Sequence, residues 1–404
     1  MTFVIVGAGL AGAKAAETLR EEGFDGEVIL IGDETERPYE RPPLSKGLLL
    51  GSATRSSVFV HESDWYQTNR VELLTGTPVA GLDAGARHVT LAEGRQIEYD
   101  KLLLATGSSP RRLDVPGADL DGVHYLRTLG DSDRIADGLR DGARVVVIGA
   151  GWIGLEIAAA ARHRGATATV VEAAELPLQR VLGDEIAKVF ATLHREHDVT
   201  FHFGAQIAEL RTSSVLLADG TDLPADVVIV GIGIQPNVRL AQEAGLSVDN
   251  GVVVDQALRT SDPHIYAAGD VANAYHPLLQ RHIRVEHWAN ALNGGPVAAR
   301  SMLGQPVSYD LLPYFFTDQY DLGMEYSGYA APGDYDRVVI RGDLVKREFI
   351  AFWTMHGRVL AGMNVNVWDV HGDIKALVTA GHSGTAVDPV KLADPQVSLG
   401  GLLT

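Results

Sequence analysis

At 404 residues the chain exceeds what one simple core holds, and about two to four domains are expected. A hydrophobic fraction of 46% with 21% charged residues excludes a disordered chain, and a formal charge of −18 excludes a general nucleic-acid binder, which needs clustered Lys and Arg. The absence of cysteine excludes a disulfide, a thiolate metal site and a redox-active dithiol, so any electrons the protein handles travel on another carrier.

Residues 3–6, Phe-Val-Ile-Val, form a β-branched apolar run that predicts a strand. It lacks the basic flank and length of a signal sequence, and no apolar run approaches the ~18 residues of a membrane span. A cytoplasmic protein without membrane association is therefore expected. Gly7, Gly9 and Gly12 follow, opening an Ala-rich helical stretch to about residue 20, and residues 27–31 predict a second strand ending at Asp33-Glu34. Strand, glycine turn, helix, strand and acid in this order make a dinucleotide-binding unit. Gly7 allows the tight turn, Gly9 lets backbone approach a pyrophosphate, Gly12 lets the helix pack close, and the helix N-terminus turns unpaired N–H groups toward the phosphates.

Residues 101–105 predict a strand that leaves the first domain through Thr-Gly-Ser-Ser-Pro. The opening phrase then recurs: strand 144–148, Gly149, Gly151 and Gly154, helix 155–164, and strand 169–172 ending on Glu172. Two dinucleotides are expected. A carboxylate at Glu172 suits a free 2′-hydroxyl, whereas a 2′-phosphate would meet like charge costing roughly 4 kcal/mol at ~4 Å and intermediate dielectric, which favours NAD over NADP. Arg180, eight residues on, serves either a 2′-phosphate or the pyrophosphate of NAD.

Downstream, "ADVVIVGIGIQPN" predicts a buried strand running into Gly231 and Gly233, and "TSDPHIYAAGDVAN" a strand ending at Gly269-Asp270, where Asp270 is placed to bind a sugar hydroxyl. Past Pro313 the pattern turns antiparallel: strand 337–341, turn at Gly342-Asp343, strand 344–355, turn at His356-Gly357, strand 358–367 and a helix over 374–380. His194 and His197 have a metal-compatible spacing but read as a solvated helix face, and no metal is assigned. His287 is given no catalytic role.

These residues together resemble the FAD-dependent, NADH-dependent ferredoxin reductases of the putidaredoxin reductase and biphenyl-dioxygenase reductase type, over essentially the whole chain. The most specific stretch is "RPYERPPLSKGLL" at 37–49, supported by "ATG" at 105–107, "YLRT" at 125–128, "GIGIQPN" at 231–237, "IYAAGDVA" at 265–272 and "EHWANA" at 286–291. The resemblance implies an α/β fold with two Rossmann-like dinucleotide-binding domains, disulfide-reductase-like but without redox cysteines, plus a C-terminal α+β domain. Expected boundaries are 1–110 and 243–313 for an FAD-binding domain, 111–242 for an NADH-binding domain and 314–404 for the last.

By that similarity FAD is expected at Gly7, Gly9, Ala11, Gly12, Asp33, Glu34, Arg41, Lys46, Val79, Ala105, Arg127, Gly269, Asp270 and Trp288. NADH is expected at Gly149, Gly151, Ile153, Gly154, Glu156, Glu172, Arg180 and Gly233. Lys46 and Glu156 are the expected catalytic pair beside the flavin, meeting from different domains. One departure stands out: where the family has Pro-Trp-Phe-Trp-Ser-Asp-Gln-Tyr, this chain has Pro313-Tyr314-Phe315-Phe316-Thr317-Asp318-Gln319-Tyr320, and both tryptophans are gone.

With no sulfur pair to receive electrons, the acceptor must be external. The expected activity is transfer from NADH through FAD to a 2Fe–2S ferredoxin, a transient partner that feeds a P450 or a ring-hydroxylating dioxygenase. Reduction of rubredoxin or a quinone, and an NADH-sensing interaction protein of the apoptosis-inducing-factor type, are the alternatives. The sequence neither requires nor excludes an oligomer. Because such ferredoxins are usually acidic, local cations are expected to gather the partner: Arg281 and Arg284, or Arg337, Arg341, Lys346 and Arg347.

Overall fold

The computed structural model describes residues 1–403 and divides into two compact units. The first comprises Met1–Glu40, Arg55–Ser109 and Gln235–Pro313, and the second Arg41–Thr54, Pro110–Ile234 and Tyr314–Thr404.

A five-stranded parallel sheet organises the first unit, in the order Ile265–Ala267, Lys101–Leu104, Thr2–Val6, Glu27–Ile31, Val71–Leu74. Its inner strands are continuous apolar runs because the sheet is covered rather than solvated: Ala11, Ala15, Ala16 and Leu19 of the helix Leu10–Glu21 and Leu82, Val89, Leu91 and Ile97 of later antiparallel strands share its core, leaving no solvent side to alternate toward. The second unit builds its own parallel sheet in the order Val199–Phe203, Thr167–Glu172, Arg144–Ile148, Val227–Val230, Val123–His124. Counted from the strand before each glycine turn, the first four strands of both sheets lie 3-2-1-4. This order reverses direction beside strand one, and ligands bind at such switch points beyond the carboxyl ends of the strands.

The duplication reaches further than the glycine turns. Between its third and fourth strands each unit inserts an antiparallel three-stranded meander, Val79–Asp83, His88–Leu91 and Gln96–Glu98 in the first, Ile207–Arg211, Ser214–Leu217 and Asp222–Pro224 in the second. Both carry a register irregularity in the first pair, at Val79/Gly81 and at Ile207/Glu209.

The second unit also holds a five-stranded antiparallel sheet, ordered Tyr314–Gln319, Leu322–Gly328, Arg358–Val365, Glu348–Met355, Arg337–Asp343. Trp353, Phe349 and Phe352 are fully buried in it, and the helix His371–His382 packs so close that a Cβ on Gly381 would lie 2.1 Å from the Val359 carbonyl oxygen. Two expectations shift here. The turn falls at residues 344–347 rather than at Gly342-Asp343, because Gly342 stays in the strand, at φ +112, where a side chain would strike the Glu348 carbonyl. The helix begins at His371, three residues before the expected 374, and runs on to His382.

A third expectation fails. His194 is not on a solvated face: it is fully buried on the helix Asp184–Glu196, with Nε2 2.8 Å from Gln319 Oε1.

Candidate functional site

Each glycine turn is built the same way. Gly7 N–H donates to the Ile31 carbonyl at 2.8 Å, and Gly149 N–H to that of Val171 at 2.8 Å. Both take left-handed φ, +117 and +100, and a Cβ there would sit 2.0 Å from the Ala105 carbonyl oxygen or 2.4 Å from that of Gly231. Gly12 and Gly154 press on the turns themselves: their Cβ atoms would come 2.1 Å from the Gly7 and Gly149 carbonyl oxygens. By contrast, Gly9 and Gly151 face space in which an added Cβ would meet nothing within 4 Å.

Those two open glycines N-cap the helices Leu10–Glu21 and Trp152–His163, both in extended conformation and both without a side-chain cap. The first-turn N–H groups therefore point into open space with the positive end of the helix dipole behind them. A pyrophosphate fits this chemistry twice.

In the first unit Ala11 is buried on its helix, and Gly295 of the helix Trp288–Met302 lets the two helices meet, since a Cβ there would lie 2.3 Å from the Ala11 carbonyl oxygen. Gly269, at φ +77, sits against the Ala11 side chain, with Asp270 next in a short turn. Ala105 is buried behind Gly7, and Trp288 opens its helix. Asp33 is exposed just past the second strand, whereas Glu34 accepts a hydrogen bond from Tyr39. Val79 starts the first meander and packs on the unit's core.

In the second unit the Glu172 carboxylate accepts from Ala150 N–H at 2.7 Å and Ala174 N–H at 2.8 Å, so it is pinned beside the glycine turn. Ile153 and Ile232 flank that turn as exposed apolar side chains. Gly233, at φ +103, accepts through its carbonyl from Arg111 N–H at 2.9 Å, a neighbour that sequence reasoning missed. Arg180 is exposed on the short helix Gln179–Leu182.

Lys46 and Glu156 form an ion pair. They do so within one unit rather than from two, because Arg41–Thr54 packs with the second unit. Glu156 is not a first-turn dipole partner in solvent: it is 5% exposed and receives Ser45 Oγ at 2.5 Å and Thr317 Oγ1 at 2.6 Å besides Lys46. The Lys46 ammonium lies 5.6 Å from the centroid of the Phe316 ring, a cation–π contact at the position where the family carries tryptophan. Asp318 is pushed above the ordinary carboxylate range by loss of solvation, against the pull of Lys46. Nearby, the Arg41 guanidinium donates to the Arg127 carbonyl.

Sequence reasoning missed Ser45, Thr317 and Gln319, and set His194 aside as a solvated helix face. Ser45 adjoins Lys46, and Thr317 and Gln319 lie in the stretch noted only for its absent tryptophans. Three of the cations expected to gather a partner are engaged instead. Arg284, with a side chain 9% exposed, pairs with Glu286 and reaches the Asp270 carbonyl. Arg341 donates to the carbonyls of Asp394 and Val397, and Arg347 pairs with Glu196. Arg337 and Lys346 point outward.

Residues 1–295 match the pyridine nucleotide-disulphide oxidoreductase family, and residues 314–403 match the reductase C-terminal domain. The chain is 41% identical to the anthranilate 1,2-dioxygenase system ferredoxin–NAD(+) reductase component of Burkholderia cepacia, covering 98% of both chains. It is 38% identical to the putidaredoxin reductase of Pseudomonas putida, over 98% of this chain and 95% of that one. Among solved structures, that of the covalent putidaredoxin reductase–putidaredoxin complex superposes with a TM-score of 0.94 at 37% identity, covering 100% of this chain and 98% of that one. Among the described residues no helix is long and apolar enough to cross a membrane. The chain belongs to the pyridine nucleotide-disulphide oxidoreductase family and, within it, to the FAD-dependent NADH:ferredoxin reductases.

Proposed function

We infer that the protein takes electron pairs from NADH on bound FAD and passes them singly to a 2Fe–2S ferredoxin serving a P450 or a ring-hydroxylating dioxygenase. The observation that carries this is full-length identity near 40% to ferredoxin reductases of such systems, in a chain that keeps both nucleotide turns and has no cysteine to accept electrons internally. FAD supplies the conversion between two-electron and one-electron transfer.

The first glycine turn, with Ala11, Asp33, Glu34, Val79, Ala105, Gly269, Asp270 and Trp288, is assigned to FAD; Arg41, Lys46 and Arg127 are FAD residues on the family resemblance alone. The second turn, with Ile153, Glu156, Glu172, Arg180 and Gly233, is assigned to NADH. Lys46 and Glu156 orient the reacting rings and set the local charge, a positioning role rather than proton transfer. The protein works in the cytoplasm.

Stopped-flow mixing of the NADH-reduced protein with a 2Fe–2S ferredoxin tests the activity: ferredoxin should be reduced much faster than rubredoxin or a quinone, and negligible ferredoxin reduction would sink the reading. Lys46→Met and Glu156→Gln should each slow flavin reduction by NADH about 10- to 100-fold while FAD stays bound. Unchanged rates in both variants would make the pair merely structural.

A further inference from the structure

Three buried polar side chains of the second unit lead to Glu156. Thr317 and Gln319 are each 1% exposed and His194 is fully buried. His194 Nε2 lies 2.8 Å from Gln319 Oε1, Gln319 Nε2 lies 3.3 Å from Thr317 Oγ1, and Thr317 Oγ1 lies 2.6 Å from Glu156 Oε1. The strand Tyr314–Gln319 explains the placement: alternation puts Thr317 and Gln319 on its inner face, while Phe316 on the other face meets Lys46.

The direction of every bond follows from the acceptor at the end. A carboxylate paired with Lys46 only accepts, so Thr317 must give Glu156 its single hydroxyl hydrogen. Thr317 can then only accept from Gln319, whose amide is thereby oriented with Oε1 toward His194. The imidazole must donate from Nε2, leaving Nδ1 bare, and Nδ1 is buried with no hydrogen-bond partner among the described residues. His194 stays neutral in this role, since burial lowers its pKa to about 4.

At the other end the two hydroxyls grip opposite oxygens of Glu156, Thr317 on Oε1 and Ser45 on Oε2. The terminal torsion of a glutamate is broad and roughly two-fold, and Lys46 reaches the same Oε1 as Thr317 on a flexible four-carbon stem, so the short Thr317 and Ser45 hydroxyls on opposite oxygens are what fix the carboxylate plane.

We propose that Thr317 is a positioning residue for the Lys46–Glu156 pair, held by a one-way hydrogen-bond chain from His194 through Gln319 that fixes the plane of the Glu156 carboxylate and so the aim of Lys46. This rests on the reading that the pair acts in flavin reduction by NADH. The chain replaces solvent, which a buried carboxylate cannot recruit, with donors already in place before substrate arrives.

The test uses the FAD-loaded protein as wild type, Thr317→Val, which removes the hydroxyl, and Thr317→Ser, which keeps it. Nitrogen-15 NMR of His194 before NADH is added should show hydrogen on Nε2 in wild type and Thr317→Ser, and a loss of that fixed tautomer in Thr317→Val. The limiting rate of flavin reduction should fall about tenfold in Thr317→Val with little change in half-saturating NADH, and Thr317→Ser should restore it. A wild-type His194 carrying its hydrogen on Nδ1 overturns the chain, whether or not the valine variant folds. A normal limiting rate in Thr317→Val beside a slow Glu156→Gln overturns the positioning role alone, whereas normal rates in both overturn the reading on which it rests.

Discussion

Glu172, proposed above for NADH, has both carboxylate oxygens fixed by backbone, Oε2 by Ala150 between the two turn glycines and Oε1 by Ala174. A 2′-phosphate on the adenosine ribose would be placed against a charge that cannot swing aside, a penalty of roughly 4 kcal/mol at ~4 Å and intermediate dielectric. The protein should therefore favour NADH over NADPH in kcat/KM, and Glu172→Ala should narrow that preference by about tenfold or more. Comparable kcat/KM for the two nucleotides in the wild type would remove Glu172 from this role. The residue was legible in the sequence because its chemistry is tied to a position, the end of the strand after a glycine turn. Ser45, Thr317 and Gln319 were not, because a hydroxyl or an amide has no spacing signature and the fold brings Ser45 and Thr317 to Glu156 from segments more than a hundred residues away; His194 was set aside as a solvated helix face because its contact with Gln319 spans a similar distance. Lys46 and Glu156 were legible only through the stretch that resembles the family, since a lone lysine and a helix-start acid carry no pattern of their own.

At the scale of the element, the two glycine turns separate folding from binding. Gly154 is needed by the protein itself: a Cβ would lie 2.1 Å from a backbone oxygen, and backbone cannot yield as a side chain can. Among the described residues nothing lies within 4 Å of a Cβ added at Gly151, so an added methyl costs the fold little and would intrude on the pyrophosphate proposed to bind there. Gly154→Ala should lower the melting temperature by several degrees, on the order of 1–3 kcal/mol of overpacking. Gly151→Ala should melt like wild type and keep its FAD while half-saturating NADH rises about tenfold or more. Equal melting losses in both variants would show that the two glycines share one structural task. The turns and their strands could be read from glycine spacing and apolar runs. The paired meanders could not, because short half-exposed strands such as Gln96–Glu98 and Asp222–Pro224 bury too few side chains to alternate visibly. The turn at residues 344–347 was hidden for a related reason: Gly342 serves a close strand approach, and the left-handed corner is taken by Arg347 at φ +56.

The whole molecule joins a strongly acidic surface to imidazoles that burial keeps uncharged, and these respond to acid in opposite directions. With a formal charge of −18, lowering the pH relieves self-repulsion and favours the compact state. His194 works the other way. Burial lowers its folded pKa to about 4, whereas in the unfolded chain it titrates near its ordinary value of about 6.5. Between those values the unfolded state binds a proton that the native state refuses, so the contribution of His194 is fully present above pH ~6.5 and is lost progressively as the pH falls toward 4. Two pH units of this difference amount to about 3 kcal/mol, or roughly 5–10 °C of melting temperature for a unit of this size. His287, also lowered to about 4 by burial, adds a loss of the same sign. Relief of repulsion spreads over many exposed carboxylates and is screened at ordinary salt, so the buried imidazoles should dominate and the melting temperature should fall between pH 6.5 and 4.5. His194→Gln keeps a donor for Gln319 Oε1 but has no proton to gain, and its melting temperature should fall much less over the same range while matching wild type more closely at pH 7.5. Melting curves for the two proteins that stay parallel from pH 7.5 to 4.5 would show that His194 is protonated alike in the folded and unfolded states, and the neutral imidazole at the head of the chain to Glu156 would fall with it.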